Sequence, residues 1–398
     1  LAVSFYTFQQ IAYLVDVYHG KIRDHNFLNY CLFVTFFLRL MQGPIVYHNE
    51  IMPQFTQKDI FRFNPRMVAA GLTIFFFGLF KKVVIADGLG VYATPVFEAA
   101  RHMYTLSFLE AWEGALAYTL QIYFDFSGYS DMAIGLAYCF GIRIPLNFNS
   151  PYKSLNVIDF WRRWHMSLSR FLRDYLYIPL GGNRKGEARR FTNLMITMLL
   201  GGLWHGAAWT FVLWGGLHGV FLVINHGWVK IKRRLGLQAT AGWFGRLIAG
   251  TLTFLSVTVA WVFFRADSAS SARRVLGSMA GLNGFALPEK YLEKFGPLTA
   301  QLKLWGVDFQ AMHYFEGSNE VIYIALALMI VWLAPNVQQM MDLCAPYLNI
   351  LGKEKKLPSP PAWLTWRPSL RWAIVLILCM LASVLSLSRA SEFLYFQF

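Results

Sequence analysis

The sequence predicts an all-α membrane protein: a polytopic transmembrane helical bundle with re-entrant and amphipathic interfacial helices. Of the 398 residues, 56% are hydrophobic and only 15% are charged, too few charges to cover the surface of a soluble domain of this size. Long stretches carry no charge at all. Aromatic residues make up 17% of the chain, which is typical of membrane proteins because Trp and Tyr favour the membrane–water interface.

Apolar stretches that cross a bilayer need about 20 residues. The first stretch is short, and it starts without Met or a positively charged region, so we expect part of a bundle whose earlier spans are missing. The long stretch that holds Gly128 is expected to bend near that residue. The predicted spans are Leu1–Val17, Phe27–Ile45, Met67–Ala93, Phe108–Phe140, Leu247–Phe264, Val321–Leu333 and Trp372–Leu387, with a polar connection at Asn283–Asn319.

Residues Phe191–His226 form one further apolar stretch. As a single helix it would be about 54 Å long, against a hydrocarbon core of about 30 Å. Basic residues flank both of its ends, at Arg189–Arg190 and at Lys230–Arg234. The stretch is therefore predicted to be a hairpin or re-entrant pair that breaks around Gly201–Gly202 or Gly206.

The net charge of +14 has two interpretations. Nucleic-acid binding is one, but in a membrane protein Lys and Arg collect in cytoplasmic loops beside anionic headgroups. Residues 141–190 carry half of the net charge. This basic segment is predicted to lie on the cytoplasmic face, and no nucleic-acid partner is expected. The four cysteines form no CxxC pair, so neither a disulfide framework nor a metal site is predicted.

His205 is the first candidate for chemistry, because it lies between glycines near the middle of the apolar hairpin. Polar groups are costly there and usually functional. The glycines permit a helix break and close approach of a substrate, and an imidazole can take a proton from a hydroxyl near neutral pH. The structural alternative is a histidine that seals the helix break by donating to a backbone carbonyl.

His165 is the second candidate. Apolar residues recur at helical spacing from Val157 to Tyr175, which predicts an amphipathic helix. His165 lies at the edge of the apolar stripe and is expected to face the bundle. A functional histidine and a histidine packed under lipid headgroups are equally open interpretations.

Five more charged residues stand in apolar surroundings. Asp125 and Asp131 would point about 120° apart on a straight helix, so a paired-carboxylate site has no support. We expect them to act as hydrogen-bonding partners for a helix break or to form salt bridges with basic residues. The same two roles, hydrogen bonding at a helix break or a salt bridge, are open for Lys81, Lys82 and Asp87.

The aromatic tail, residues 391–398, follows the last predicted span. An interfacial belt is the default interpretation, but its alternation would also suit an extended segment in a cavity. Tyr395 then offers a hydroxyl that could act as a nucleophile near a base. No Walker A or GxSxG motif occurs, so nucleotide hydrolysis and serine-esterase chemistry have no motif behind them.

A family resemblance rests on ordered segments: Ser4–Gln9 with Tyr13–Asp16, Gly43–Ile45, Tyr123–Gly135, Asn147–Tyr152, Trp161–Ser169, Tyr177–Arg184, Gly202–Ala207 and Trp261–Ala266. Together they resemble the membrane-bound O-acyltransferase (MBOAT) family, in its bacterial branch of alginate O-acetyltransferases and teichoic-acid D-alanyl transferases. The combination of segments is specific for this family, although each segment alone is weak evidence for it. One departure is Leu38-Arg39, where a proline-containing pair is expected; it affects local helix shape.

The resemblance implies one domain over residues 1–398, a ring of helices around a thin centre that opens to both sides. It implies that His205 is catalytic and that His165 is the second characteristic histidine. In related systems a C-terminal aromatic–Tyr motif receives the acyl group, so Tyr395 is a candidate relay. We expect Arg162 and Arg163 to contact an anionic donor.

The expected activity is transfer of an acyl group, acetyl in the first instance, from a cytoplasmic thioester towards an exported polysaccharide such as alginate. No bound cofactor is expected, and acetyl-CoA or an acyl carrier protein would be the co-substrate. The expected site is the bacterial inner membrane, with membrane lipids, a polysaccharide acceptor and a periplasmic acetyltransferase or polymer-modifying protein as partners. A transporter of an acyl donor or lipid and a polymer-synthesis scaffold are the alternatives.

Overall fold

The computed structural model describes residues 2–22, 26–36, 43–58, 62–236, 242–310, 312, 314–315, 317–341, 360–389 and 394. The helices are α1 Ala2–Tyr18, α2 Phe27–Thr35, α3 His48–Phe55, α4 Pro65–Phe80, α5 Asp87–Arg101, α6 Phe108–Cys139, α7 Val157–Trp161, α8 Met166–Leu172, α9 Gly186–His205, α10 Trp209–Arg234, α11 Trp243–Arg265, α12 Ala269–Met279, α13 Tyr291–Phe295, α14 Leu298–Leu304, α15 Ser318–Leu333, α16 Val337–Met340 and α17 Leu370–Ser386. Strands β1 Phe285–Pro288 and β2 Val307–Gln310 pair in parallel.

Membrane-spanning character is found in three stretches of the described residues: Pro65–Arg101, Trp209–Arg234 and Trp243–Arg265 are long and apolar enough to cross a bilayer. Helices α15 and α17 are apolar but shorter. The first stretch is continuous because a π-helical segment, Lys81–Ala86, joins α4 to α5. The predicted fold class, a helical membrane bundle, is confirmed.

Helix α6 runs through the centre of the bundle, and most of its 32 residues are buried. The stretch forms one helix that is continuous from Phe108 to Cys139, without a break at Gly128. Gly128 permits close packing: a Cβ there would lie 2.6 Å from the carbonyl oxygen of Gly78 on α4. A Cβ on Gly71 would likewise lie 2.5 Å from the oxygen of Gly135. Small residues let two membrane helices approach backbone to backbone.

The five charged residues predicted in apolar surroundings form ion pairs that join the π-helical segment to α6 and to the start of α5. Lys81 lies 2.5 Å from Asp131, and Lys82 lies 2.6 Å from both Asp87 and Asp125. Buried charges are stable only when paired. The salt-bridge interpretation is therefore confirmed for all five.

Helices α9 and α10 form the predicted hairpin, and its break lies at Gly206, whereas Gly201 and Gly202 are helical. A Cβ on Gly202 would lie 2.2 Å from the carbonyl oxygen of Phe211, so the two helices touch through their backbones. Lys230 pairs with Glu187 at 2.5 Å and brings the two basic flanks together. We call that end of the bundle the basic end. The far end carries the α9–α10 turn.

Two predicted segments differ from the structure. The predicted span Phe27–Ile45 is shorter than expected, because α2 ends at Thr35; residues 43–47 are not helical, as the pair Gly43-Pro44 predicts. Ile45 is buried there: its N–H donates to Ser167 Oγ at 3.0 Å, and its oxygen accepts from Arg170. The polar connection Asn283–Asn319 contains the β1–β2 pair, which sequence periodicity did not indicate.

Candidate functional site

His205 is the last residue of α9 and lies at the turn of the hairpin. It is buried, and three aromatic rings surround it: the ring centroids of Trp204, Trp214 and Phe264 lie 4.8, 5.1 and 5.0 Å from the imidazole. Helices α9, α10 and α11 each supply one of these rings. The predicted helix break therefore places His205 inside the bundle, at the junction of three helices.

His165 is also buried, but the amphipathic helix predicted from Val157 to Tyr175 is wrong. Helix α7 ends at Trp161 and α8 begins at Met166; between them His165 adopts left-handed dihedrals, with φ 41° and ψ 55°. The reason lies outside the segment: Met166 N–H donates to the oxygen of Asn147 at 2.9 Å. A bulky residue with positive φ is uncommon and is often held so at a functional site.

Asn147 holds the imidazole of His165. Its Oδ1 accepts from the Ser167 N–H at 3.4 Å and from Ser167 Oγ at 2.6 Å, and it lies 3.3 Å from His165 Nδ1. Because a backbone N–H can only donate, this oxygen is an acceptor, and Nδ1 must carry the proton. In the neutral ring Nε2 then keeps its lone pair. This Nε2 is buried and has no hydrogen-bond partner among the described residues.

The two histidines lie close together. The ring of Trp204 is 4.8 Å from His205 and 6.4 Å from His165, and the two imidazoles interact electrostatically. Phe5 of α1 closes this cluster, with its ring 5.1 Å from Trp204 and 6.2 Å from His165. The structure thus brings together two residues that are far apart in sequence, in a largely aromatic environment.

Two buried hydrogen-bond donors belong to the same cluster. The indole nitrogens of Trp204 and Trp214 are inaccessible to solvent and have no acceptor in the part of the chain that the structure describes. Unsatisfied buried donors cost free energy and are available to an oxygen of a bound substrate. Such an arrangement can stabilise negative charge that develops on an oxygen next to a base.

A cavity of about 570 Å³ opens at the far end, against the Gly206–Ala208 turn that follows His205. The ends of α5 and α11 and the start of α10 form its walls.

The remaining predicted residues lie outside the cluster and the cavity. Arg162 is exposed beyond the end of α7, and Arg163 pairs with Asp159 at 3.0 Å. Tyr395 lies outside the described residues, and its predicted role is untested.

Asn147, Trp204 and Trp214 are site residues that sequence reasoning did not single out. Asn147 stands in the segment Asn147–Tyr152 shortly after α6, one of the segments that carry the family resemblance. Trp204 stands in the resemblance segment Gly202–Ala207, and in the sequence Trp214 is part of the general aromatic content. Among the described residues, no group of three or more His, Cys, Asp or Glu side chains could hold a metal ion.

Comparisons with known proteins bear on this arrangement. The sequence profile of MBOAT, the membrane-bound O-acyltransferase family, matches residues 15–258. A peptidoglycan O-acetyltransferase of Helicobacter pylori is 48% identical over 72% of this chain, a match that spans 58% of that protein. A probable alginate O-acetylase of Pseudomonas aeruginosa is 38% identical over 100% of this chain and 76% of its own length. A teichoic acid D-alanyltransferase of Bacillus subtilis is 27% identical over 66% of this chain and 68% of its own. The chain therefore belongs to the membrane-bound O-acyltransferase family.

Proposed function

We propose that the protein moves an acyl group, acetyl in the first instance, from a thioester donor towards an exported polysaccharide. The single observation that carries this proposal is the meeting of His205 and His165 in one buried cluster beside unsatisfied indole donors. Relatives named for O-acetylation of alginate and of peptidoglycan support the acetyl group and the polymer acceptor. We also propose the bacterial inner membrane as its location, with the basic end facing the cytoplasm.

The proposed step begins when a hydroxyl oxygen attacks the thioester carbonyl carbon. The hydroxyl proton passes to an imidazole nitrogen of His205, and the tetrahedral oxyanion accepts hydrogen bonds from the indole N–H groups of Trp204 and Trp214. The carbon–sulfur bond then breaks, and the leaving thiolate takes up that proton. His165, with the Nε2 lone pair unused, is proposed to orient the donor or to assist the proton transfer.

Acetyl-CoA or an acyl carrier protein is proposed as the donor, and the exposed Arg162 as its contact at the basic end. Both donors are anionic, and Arg is well suited to bind phosphate. Because Arg163 already pairs with Asp159 at 3.0 Å, its proposed contribution to donor binding is the smaller one. A periplasmic acetyltransferase or polymer-modifying protein is proposed to complete the transfer to the polymer.

The test is an assay of the purified protein in lipid nanodiscs with acetyl-CoA or an acetylated carrier protein. Thiol release that depends on an acceptor, matched by a mass gain of one acetyl group on that acceptor, is the expected result. A protein that binds the donor without releasing thiol would be a transporter or a scaffold. That outcome would overturn the proposal.

Asn147 is proposed to act on the reaction through His165. We expect Asn147→Leu to lower kcat about 10- to 100-fold, by analogy with residues that orient a histidine ligand, because the imidazole loses the acceptor that fixes its tautomer. Asn147→Asp restores an acceptor for Nδ1 and is expected to recover part of kcat. Equal loss in both variants would show that Asn147 serves only the fold. Steady-state kinetics with a thermal unfolding midpoint for each variant separates the two cases.

Tyr395 is proposed as an acyl relay. Support comes from the sequence and from Leu394, the residue before it, which is 4% exposed within the core cluster that contains Phe126 and Trp164. We expect Tyr395→Phe to abolish transfer to the polymer while leaving donor binding unchanged, because only the hydroxyl is lost. Intact-mass analysis after a pulse of donor checks for acetyl on the protein. A wild-type rate in Tyr395→Phe would contradict the relay.

A further inference from the structure

His218 is a buried histidine that the proposed transfer step does not use. It lies on α10, in the stretch Trp209–Arg234 that is long and apolar enough to cross a bilayer, and its side chain is fully buried. A polar side chain in such a place is costly and usually functional. Its ring lies among the rings of Phe160, Trp161 and Trp214, whose centroids are 6.0, 5.1 and 5.0 Å away. Aromatic rings of α7 and of α10 therefore meet at this histidine.

One hydrogen bond fixes the tautomer of His218. The indole N–H of Trp161 donates to its Nδ1 at 3.2 Å. An indole nitrogen can only donate, so Nδ1 keeps its lone pair, the ring is neutral, and the proton lies on Nε2. His165 has the opposite tautomer, because its Nδ1 donates to Asn147. An apolar residue of similar size in place of His218 would leave the indole N–H of Trp161 without this acceptor, at a cost in free energy.

This hydrogen bond joins the two elements that carry the buried cluster. Trp161 ends α7, four residues before His165 in the left-handed break between α7 and α8. On α10, Trp214 lies one turn before His218, and its ring is also 5.1 Å from that of His205. The indole proposed to stabilise the oxyanion is thus packed between two imidazoles, one of which is bonded to α7.

We propose that His218 is a positioning residue that fixes α7 against α10 by accepting the hydrogen bond from Trp161. It thereby holds the segment that leads into His165 next to the hairpin, and it keeps the indole of Trp214 in place beside His205. A misplacement of about 1 Å can cost about 100-fold in rate, so the loss of this bond is expected to slow the transfer. The effect on rate rests on the proposed acyl transfer, whereas the contact itself does not.

The kinetic test removes each partner of the bond in turn. His218→Leu removes the acceptor and Trp161→Phe removes the donor; each is expected to lower kcat about 10- to 100-fold and to leave the KM for acetyl-CoA within about threefold. The double variant should be no slower than either single variant, because both changes remove the same bond. His218→Asn, whose side-chain oxygen can take the place of Nδ1, should recover part of kcat. Trp228→Phe is the matched control, since Trp228 also lies on α10 but is half exposed, and its kcat should not change.

A second measurement needs no acyl transfer. In ¹⁵N-histidine solid-state NMR of the protein in liposomes, the resonances that vanish in His218→Leu should report an unprotonated Nδ1 and a protonated Nε2. Trp161→Phe should shift that Nδ1 resonance. His218→Leu should also shift the resonances of His165, which are identified by their loss in His165→Gln, whereas Trp228→Phe should shift none of them.

Several results would overturn the inference. Nδ1 of His218 could be protonated or unaffected by Trp161→Phe, the His165 resonances could be unchanged in His218→Leu, or the losses in kcat of the two single variants could multiply in the double variant. An equal loss of kcat and of the unfolding midpoint in His218→Leu and His218→Asn would overturn it as well, because it would show a role in the fold only. The expected NMR shifts in a protein without transfer would refute only the enzyme activity, and wild-type kcat in folded His218→Leu would refute only this inference.

Discussion

Replacing His205 by glutamine is expected to lower kcat by about 10²–10⁴-fold, the contribution typical of a positioned general base. Glutamine has a similar size, so the contacts with Trp214 and Phe264 at 5.1 and 5.0 Å are expected to be kept largely intact. No base would then take the proton of the acceptor hydroxyl, although the thioester donor could still bind. The measurement is acceptor-dependent thiol release, with donor binding determined separately.

His226→Gln provides the matched control for this change. His226 is also a histidine of the α9–α10 hairpin, but it lies near the basic end, where it contacts Arg190 at 3.0 Å. We expect its kcat to stay within about twofold of the wild type, since most substitutions away from a site have small effects. Full activity in a folded His205→Gln protein would mean that His205 seals the helix break and is not the base.

Gly202→Ala is expected to have the second-largest effect, because a single methyl group has no space in the hairpin. The added Cβ would lie 2.2 Å from the oxygen of Phe211 and 3.2 Å from the Cα of Gly215. Both obstacles are backbone, so α9 and α10 must move apart. Overpacking of this kind costs about 1–3 kcal/mol, and it would also displace His205, which lies in the same helix. A misplacement of about 1 Å can cost about 100-fold in rate.

Gly227→Ala is the control for Gly202→Ala. Gly227 lies on α10 too, but a Cβ there meets nothing within 4 Å. Because Ala is a better helix former than Gly, we expect unchanged kcat and an equal or higher unfolding midpoint. Thermal unfolding in nanodiscs and kcat should be measured for both variants. If Gly202→Ala kept wild-type kcat and stability, the backbone contact between α9 and α10 would not be what positions His205.

Periodicity and composition predicted much of the fold. The hairpin around His205 followed from the length of one apolar stretch against the thickness of a bilayer, and its break is found at Gly206. The ion pairs of Asp125 and Asp131 followed from the cost of charges in an apolar setting. These features depend on local sequence and on the bilayer, so a single sequence suffices to predict them.

The environment of His165 could not be predicted in this way. Its segment has helical periodicity, yet the backbone breaks because Met166 and Ser167 bind to Asn147, which comes from a different part of the chain. Long-range contacts of this kind leave no periodic signal in either segment. They become visible only when the helices are assembled.

The most direct test of the central claim, that acyl transfer takes place at the His205–His165 cluster, follows two labels in proteoliposomes. Acetyl-CoA with ¹⁴C in the acetyl group and ³H in the CoA is supplied at the basic end, and the acceptor is placed on the opposite side. We predict that ¹⁴C becomes covalently attached to the acceptor while ³H stays with the donor, and that His205→Gln abolishes the separation of the labels. Passage of both labels together, without covalent attachment, would contradict the account and identify a transporter.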